Sequence, residues 1–162
     1  MAVEIERKFI ANPSVLALCR AGTPLVQGYL FTDAANTIRI RRAGERALIT
    51  WKSPRRGASR DEIEFAIAPE DGAALLATVP PDRRLEKTRY RVAHAGAMWD
   101  VDVFGGELAG LILAEIEMAS EDQFVELPPW VEQEVTSDAR DRKSGSAGMP
   151  RPLEGSRMPS SA

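Results

Sequence analysis

The sequence alternates charged and apolar side chains in one short segment after another. In Glu4-Ile5-Glu6-Arg7-Lys8, charges at positions 4, 6 and 8 fall on every second residue. Successive side chains of a β-strand point to opposite faces, so a period of two predicts strands with one charged and one apolar face. The pattern returns at Arg39 and Arg41, Glu62 and Glu64, Lys87, Arg89 and Arg91, Asp100 and Asp102, and Glu115 and Glu117.

Turn residues and prolines divide the chain into strands and short helices. Gly44-Glu45 and His94-Ala95-Gly96 predict hairpin turns, and Ser120 to Gln123 has the form of a helix capping box. The predicted strands are 3–10, 25–32, 37–43, 46–53, 61–68, 83–93, 97–104 and 111–118, and the predicted helices are 13–20, 69–78 and 121–126. Consecutive strands with hairpin-like links favour a mainly β (α+β) fold, an eight-stranded antiparallel closed barrel with flanking short helices.

Composition limits the remaining classes. The length of 162 residues is typical of one domain, and the net charge of −3 gives no basic field for nucleic acid. No apolar run approaches the roughly 18 residues of a membrane span, and the single Cys19 fits a reducing compartment, so a cytoplasmic location is expected. From Ser144 onward the periodicity is lost, which predicts a domain at 1–143 and a disordered tail at 144–162.

The distribution of charge signs indicates which face of the barrel is inside. If the apolar faces met in a sandwich, the charges would form the surface, where mixed signs would serve solubility. Instead, four strands carry paired acids and two carry paired or tripled bases. A lumen with both walls charged is costly unless a ligand or counter-charges compensate it. A polyphosphate carrying Mg²⁺ or Mn²⁺ would do so, because carboxylates bind hard cations and arginine and lysine bind phosphate.

One loop is basic without following the alternation. Pro54 to Arg60 contains Arg55, Arg56 and Arg60. We interpret it as a solvated turn in preference to an entry lip that attracts anions.

The ordered set of motifs resembles the triphosphate tunnel metalloenzymes, also called the CYTH superfamily, over about residues 1–140. The matching motifs are Glu4-Ile5-Glu6-Arg7-Lys8, Arg39-Ile40-Arg41, Lys52, Glu62-Ile63-Glu64, Lys87-Thr88-Arg89, Asp100-Val101-Asp102 and Glu115-Ile116-Glu117. Gln27-Gly28-Tyr29-Leu30 and Glu134-Val135-Thr136 are similar to the short bacterial inorganic triphosphatases in particular. The sequence departs from that group at Asp141, which stands in a tyrosine position, and in a Ser/Gly/Pro tail that replaces the C-terminal helix.

The resemblance implies a hydrolase that cleaves the terminal phosphoanhydride of inorganic tripolyphosphate, and nucleoside triphosphates more slowly. It implies that Mg²⁺ or Mn²⁺ is held by Glu4, Glu6, Glu62, Glu64, Asp100, Asp102, Glu115 and Glu117. It implies that the phosphates are bound by Lys8, Arg39, Arg41, Lys52, Lys87, Arg89 and Arg91. Lys87 and Lys52 are the expected catalytic lysines, and either Lys87 or a metal-bound water would activate the attack.

Two kinds of alternative remain open at this point. The first is another enzyme with the same tunnel, an adenylate cyclase or a thiamine-triphosphatase. The second is a non-catalytic module that binds polyphosphate or nucleotides. Trp51, Tyr90 and Trp99 fall on the apolar phase of their strands, so no adenine pocket is predicted, and hydrolysis is favoured over cyclisation. The sequence does not decide the oligomeric state, and a homodimer is one of the states that it allows.

Overall fold

The computed structural model describes residues 2–136, which form a β-sheet with one α-helix and short 3₁₀ helices. The strands are β1 (Ala2–Ala11), β2 (Thr23–Thr32), β3 (Thr37–Ala43), β4 (Arg46–Lys52), β5 (Ser59–Ile67), β6 (Arg84–His94), β7 (Ala97–Phe104), β8 (Ile112–Glu117) and β9 (Val131–Glu134). The α-helix is α1 (Pro69–Thr78), and the 3₁₀ helices are Pro13–Leu18, Pro81–Arg83 and Gly106–Leu108. The predicted tail, the boundary at 143 and Asp141 lie outside the described residues.

The first eight strands close into an antiparallel barrel, which confirms the predicted fold class. Their order is β5-β4-β3-β2-β6-β7-β8-β1, and pairing of β1 with β5 completes the ring. The ninth strand was not predicted. It pairs with β1 at Phe9 and Ala11, beyond the stretch Ala2–Ile5 that pairs with β5. The same edge of β1 therefore pairs first with β5 and then, further along, with β9.

The main apolar packing lies outside the barrel, as the charge pattern predicted. Trp99 is fully buried between Phe9 and Trp130, with ring centroids 5.7 and 5.6 Å away. On the opposite side, α1 covers β2, β3 and β4 by packing Leu76 on Ile40. None of the helices in residues 2–136 is long and apolar enough to cross a lipid bilayer.

A second apolar cluster fills one end of the barrel interior. It consists of buried and partly buried strand side chains on the same alternation phase as the charges, together with neighbours from the flanking loops. Its members are Ile10, Leu85, Phe104, Leu108, Leu111, Leu113 and Val135. Lys87 marks the border, because its Nζ lies 5.5 Å from the centre of the Phe104 ring. The interior is therefore charged at one end and apolar at the other.

The predicted helix at 121–126 is wrong, because its capping groups are used elsewhere. The Ser120 hydroxyl donates to Asp122, and the Gln123 side chain accepts from the backbone N–H of Ala119. Glu121 accepts from the backbone N–H of Ala58 in the β4–β5 loop. The segment makes a turn and then continues without regular secondary structure to Trp130, which packs in the outer apolar core.

Candidate functional site

A polar cavity of about 150 Å³ occupies the charged part of the barrel interior. Side chains of the barrel strands line it: Glu4, Glu6, Lys8, Tyr29, Arg39, Arg41, Lys52, Arg60, Glu62, Glu64, Lys87, Arg89, Asp100, Glu115 and Glu117. Every predicted site residue is among them except Asp102 and Arg91. The structure brings these residues together, and their individual roles remain predictions.

Glutamates from β1 and β8 form the acidic wall of the cavity. The strand register places Glu6 opposite Glu117 and Lys8 opposite Glu115. Burial, reinforced by a hydrogen bond and repulsion from Glu115, raises the pKa of Glu6 to about 7. Burial also opposes ionisation of Glu115, but Lys8 and Arg89 outweigh it and hold its pKa well below the ordinary value. Near neutral pH Glu6 is therefore partly protonated, whereas Glu115 is ionised.

Basic side chains from β4 and β5 neutralise Glu4, the other acid of β1. The Nζ of Lys52 lies 3.0 Å from Glu4 and 3.4 Å from Glu62. Arg60 donates to Glu4 at 3.1 Å. Burial opposes the charge on Glu4, but Lys52 and Arg60 outweigh it and lower the pKa of Glu4 to about 2. Glu4 is therefore ionised and held between two cations.

The interpretation of the β4–β5 loop as a solvated turn is wrong for two of its arginines. Arg55 lies 2.8 Å from Glu6, and Arg60 lines the cavity. Only Arg56 fits the interpretation, since its side chain is 57% exposed. Arg60 could have been found from sequence, because it precedes Glu62 by two residues and shares its strand face. It was missed because β5 was predicted to begin at 61.

A buried ion-pair network closes the cavity toward the apolar end. Asp102 is fully buried and accepts hydrogen bonds from Lys87 at 2.7 Å and from the Nε and Nη2 of Arg89 at 2.7 and 2.9 Å. Burial lowers the pKa of Lys87 to about 7, against the attraction of Asp102. Both oxygens of Asp102 are engaged, so this carboxylate supports the two cations from behind the cavity wall.

Arg39 and Arg41 on β3 differ from the other basic groups. Neither forms an ion pair within residues 2–136, although both line the cavity. Arg39 is 8% exposed and its Nε has no hydrogen-bond partner in the described part of the chain. Burial, with repulsion from Arg39 and Arg89, lowers the pKa of Arg41 to about 10. A buried cation without a counter-charge is costly, and a bound anion would lower that cost.

Two further side chains complete the description of the cavity. Arg91 is 70% exposed and lies 3.7 Å from Asp100, so it sits at the rim. Tyr29 lines the cavity and was not predicted, although it shares its strand face with Gln27. The sequence argument against an aromatic contact for a nucleotide considered only residues on the apolar phase and missed Tyr29.

The donor chemistry of the acidic wall fits a hard divalent cation. Glu4, Glu6, Glu115 and Glu117 offer the oxygens that Mg²⁺ and Mn²⁺ prefer. Among residues 2–136, no three acidic, histidine or cysteine side chains already converge on one point. Lys52 and Arg55 form ion pairs with Glu4 and Glu6, so a cation bound by these two acids would replace those contacts.

The fold and the cavity define a class of protein: a closed antiparallel barrel that carries segregated acidic and basic walls inside and its main apolar core outside. The chain belongs to the CYTH family, whose domain matches residues 2–151.

Named relatives cover most of the chain. It is 35% identical over 140 residues to an inorganic triphosphatase of Acetivibrio thermocellus, which covers 86% of this chain and 90% of that protein. It is 40% identical over 141 residues to an inorganic triphosphatase of Nitrosomonas europaea, covering 85% and 91%. Among solved structures, the crystal structure of the inorganic triphosphatase NE1496 is similar with a TM-score of 0.61 and 35% identity, covering 90% of this chain and 99% of that one.

Proposed function

We propose that this protein hydrolyses the terminal phosphoanhydride of inorganic tripolyphosphate. The observation that carries the proposal is the pair of buried Arg39 and half-buried Arg41, which line the cavity and form no ion pair within residues 2–136. No ion pair within residues 2–136 neutralises either guanidinium, and a bound polyanion would do so. The relatives named inorganic triphosphatase, at 35–40% identity over most of the chain, favour a triphosphate as that anion.

The basic groups divide the work of binding and catalysis. Arg39 and Arg41 bind phosphate oxygens with their forked N–H donors. Lys8, Lys52 and Arg89 neutralise the charge that develops on the leaving pyrophosphate. Lys87, whose pKa is about 7, takes the proton of the attacking water, since a fraction of its amine is neutral at physiological pH. Arg91 contributes only at the rim.

The acidic wall would hold the divalent metal, Mg²⁺ or Mn²⁺. Glu4, Glu6, Glu115 and Glu117 would be its main ligands. A bound metal supplies neutralisation of phosphate charge and orientation of the triphosphate. Glu62, Glu64 and Asp100 would hold a second ion or position water, whereas Asp102 is better placed to support Lys87 and Arg89. A cytoplasmic location remains a prediction.

A screen of orthophosphate release tests the proposal. The substrates are tripolyphosphate, ATP, thiamine triphosphate and pyrophosphate, each with Mg²⁺ or Mn²⁺. We expect tripolyphosphate to be the best substrate and ATP to be slower. Cyclic AMP and pyrophosphate as the main products from ATP would instead assign a cyclase, for which Tyr29 would be a candidate base contact. Binding without turnover would assign a non-catalytic module.

Matched variants connect the result to the cavity. Arg39→Ala removes a buried cation without an ion pair, and Arg56→Ala removes an exposed arginine that pairs with Asp61. We expect loss of turnover only in Arg39→Ala. Equal activities of the two variants would contradict the assignment of the cavity as the site.

A further inference from the structure

Gln27 is a polar side chain buried inside the barrel next to Arg41. It is fully buried on β2, opposite Arg41 on β3 and opposite Leu85 on β6. It therefore lies between the charged cavity and the apolar cluster. Its Oε1 accepts a hydrogen bond from the Nε of Arg41 at 3.2 Å.

This hydrogen bond fixes one edge of the Arg41 guanidinium and leaves its charge intact. The amide is neutral, so it accepts from the Nε without forming an ion pair. Arg89, by contrast, has a charged acceptor. Asp102 accepts hydrogen bonds from its Nε and Nη2 and neutralises the guanidinium. With the Nε of Arg41 engaged from behind, its terminal N–H groups are available to a ligand in the cavity.

The Nε2 group of Gln27 lowers the stability of the fold, and packing alone does not explain why it is there. Its Nε2 is buried and has no hydrogen-bond partner within residues 2–136. An unsatisfied buried donor is destabilising, and an apolar side chain of similar length would avoid the penalty. Flipping the amide would not give the Nε2 donor a partner, because it would turn Nε2 toward the N–H of Arg41. The residue is thus oriented by Arg41 at the expense of stability.

We propose that Gln27 is a positioning residue that aims Arg41 at the bound polyphosphate while preserving its full positive charge. The inference rests on the proposed function of the cavity. It adds a requirement for a neutral hydrogen-bond acceptor at position 27. An acidic residue there would cancel the charge, and an apolar residue would release the guanidinium.

The test compares Gln27→Met, Arg41→Ala and the double variant, with tripolyphosphate binding measured by calorimetry and hydrolysis measured as KM and kcat. Gln27→Met keeps the side-chain length and removes both polar groups. We expect it to melt at the same or a higher temperature and to raise the Kd for tripolyphosphate roughly tenfold, the size of a lost hydrogen bond to a charged group. In the Arg41→Ala background the same change should have no effect on Kd.

Two further variants separate positioning from folding. Val26→Ala, on the outer face of β2, is the control for disturbance of the strand and should leave Kd unchanged. Gln27→Glu should also weaken binding, because it pairs with Arg41 and removes the net charge.

The results distinguish this inference from the proposed function. An unchanged Kd in Gln27→Met, or the same loss with and without Arg41, would overturn the positioning role. Wild-type protein that binds tripolyphosphate but releases no orthophosphate would overturn the hydrolase and leave the calorimetric test of Gln27 intact. Wild-type protein that binds no tripolyphosphate would overturn both.

Discussion

Replacing Asp102 by asparagine should destabilise the fold more than the loss of any acid that lines the cavity. Asp102 is fully buried and accepts three hydrogen bonds of 2.7–2.9 Å from Lys87 and Arg89. The substitution keeps the shape and leaves the two cations without their shared counter-charge. Removal of one partner from a buried ion pair costs about 3–5 kcal/mol. The carboxylate is wholly buried, so solvent screening does not reduce this value.

The expected shift is large enough to measure directly. For a chain of this size, each kcal/mol changes the melting temperature by about 2–4 °C, so Asp102→Asn should melt about 6–20 °C lower. Urea denaturation should give the same loss of unfolding free energy as a lower midpoint with an unchanged slope.

A neighbouring acid provides the matched control. Asp100 lies two residues away on the same face, its side chain is 32% exposed, and its contacts with Arg89 and Arg91 are 3.7 Å long. Asp100→Asn should cost less than about 1 kcal/mol. If Asp102→Asn lost no more stability than Asp100→Asn, Asp102 would not be the structural counter-charge described above.

Three other outcomes follow from the cavity and its packing. If Lys87 acts as the base, kcat/KM should rise with pH through about 7, because the amine must first lose its proton. Lys87→Arg should abolish that rise. A fall of kcat/KM with pH would instead indicate that Lys87 acts as a cation. Arg39→Ala should lower turnover at least about 100-fold, by analogy with the loss of one transition-state-stabilising group, yet leave the ligand-free melting temperature unchanged or higher, since it removes an uncompensated charge. Gly72→Ala should destabilise the fold by about 1–3 kcal/mol in urea, because the added Cβ would collide with Ala47 and push α1 off the sheet; an unchanged midpoint would show that the helix moves freely.

The alternation of charged and apolar residues was sufficient to predict the barrel and the orientation of its faces. A strand has only two faces, so the odd or even position of a residue in its strand, here called its parity, decides whether it points inward, like Glu6, or toward the outer core, like Ile5. Parity does not report depth along the barrel axis. Asp102 and Arg91 share the inward phase with other site residues, yet one is sealed behind the cavity and the other is at the rim.

Contacts between distant segments account for what the sequence did not reveal. The predicted helix after Ser120 fails because Glu121 binds the β4–β5 loop, a partner more than 60 residues away. β9 is only four residues long and largely exposed, so its pattern is too short to identify as a strand. Arg55 lies in a loop, where no periodicity indicates that it reaches Glu6.

The position of β1 has a consequence for how the protein folds as it is synthesised. β1 is made first, but its partners are β5, β8 and β9, so it has no strand partner before residue 59 emerges. Pairings between such distant segments carry a large loop-closure entropy and slow folding. Glu6 and Glu115 meet only when β8 docks onto the first strand. The acidic wall is therefore completed late, because a nascent chain that lacks β8 has Glu4 and Glu6 of β1 without Glu115 and Glu117.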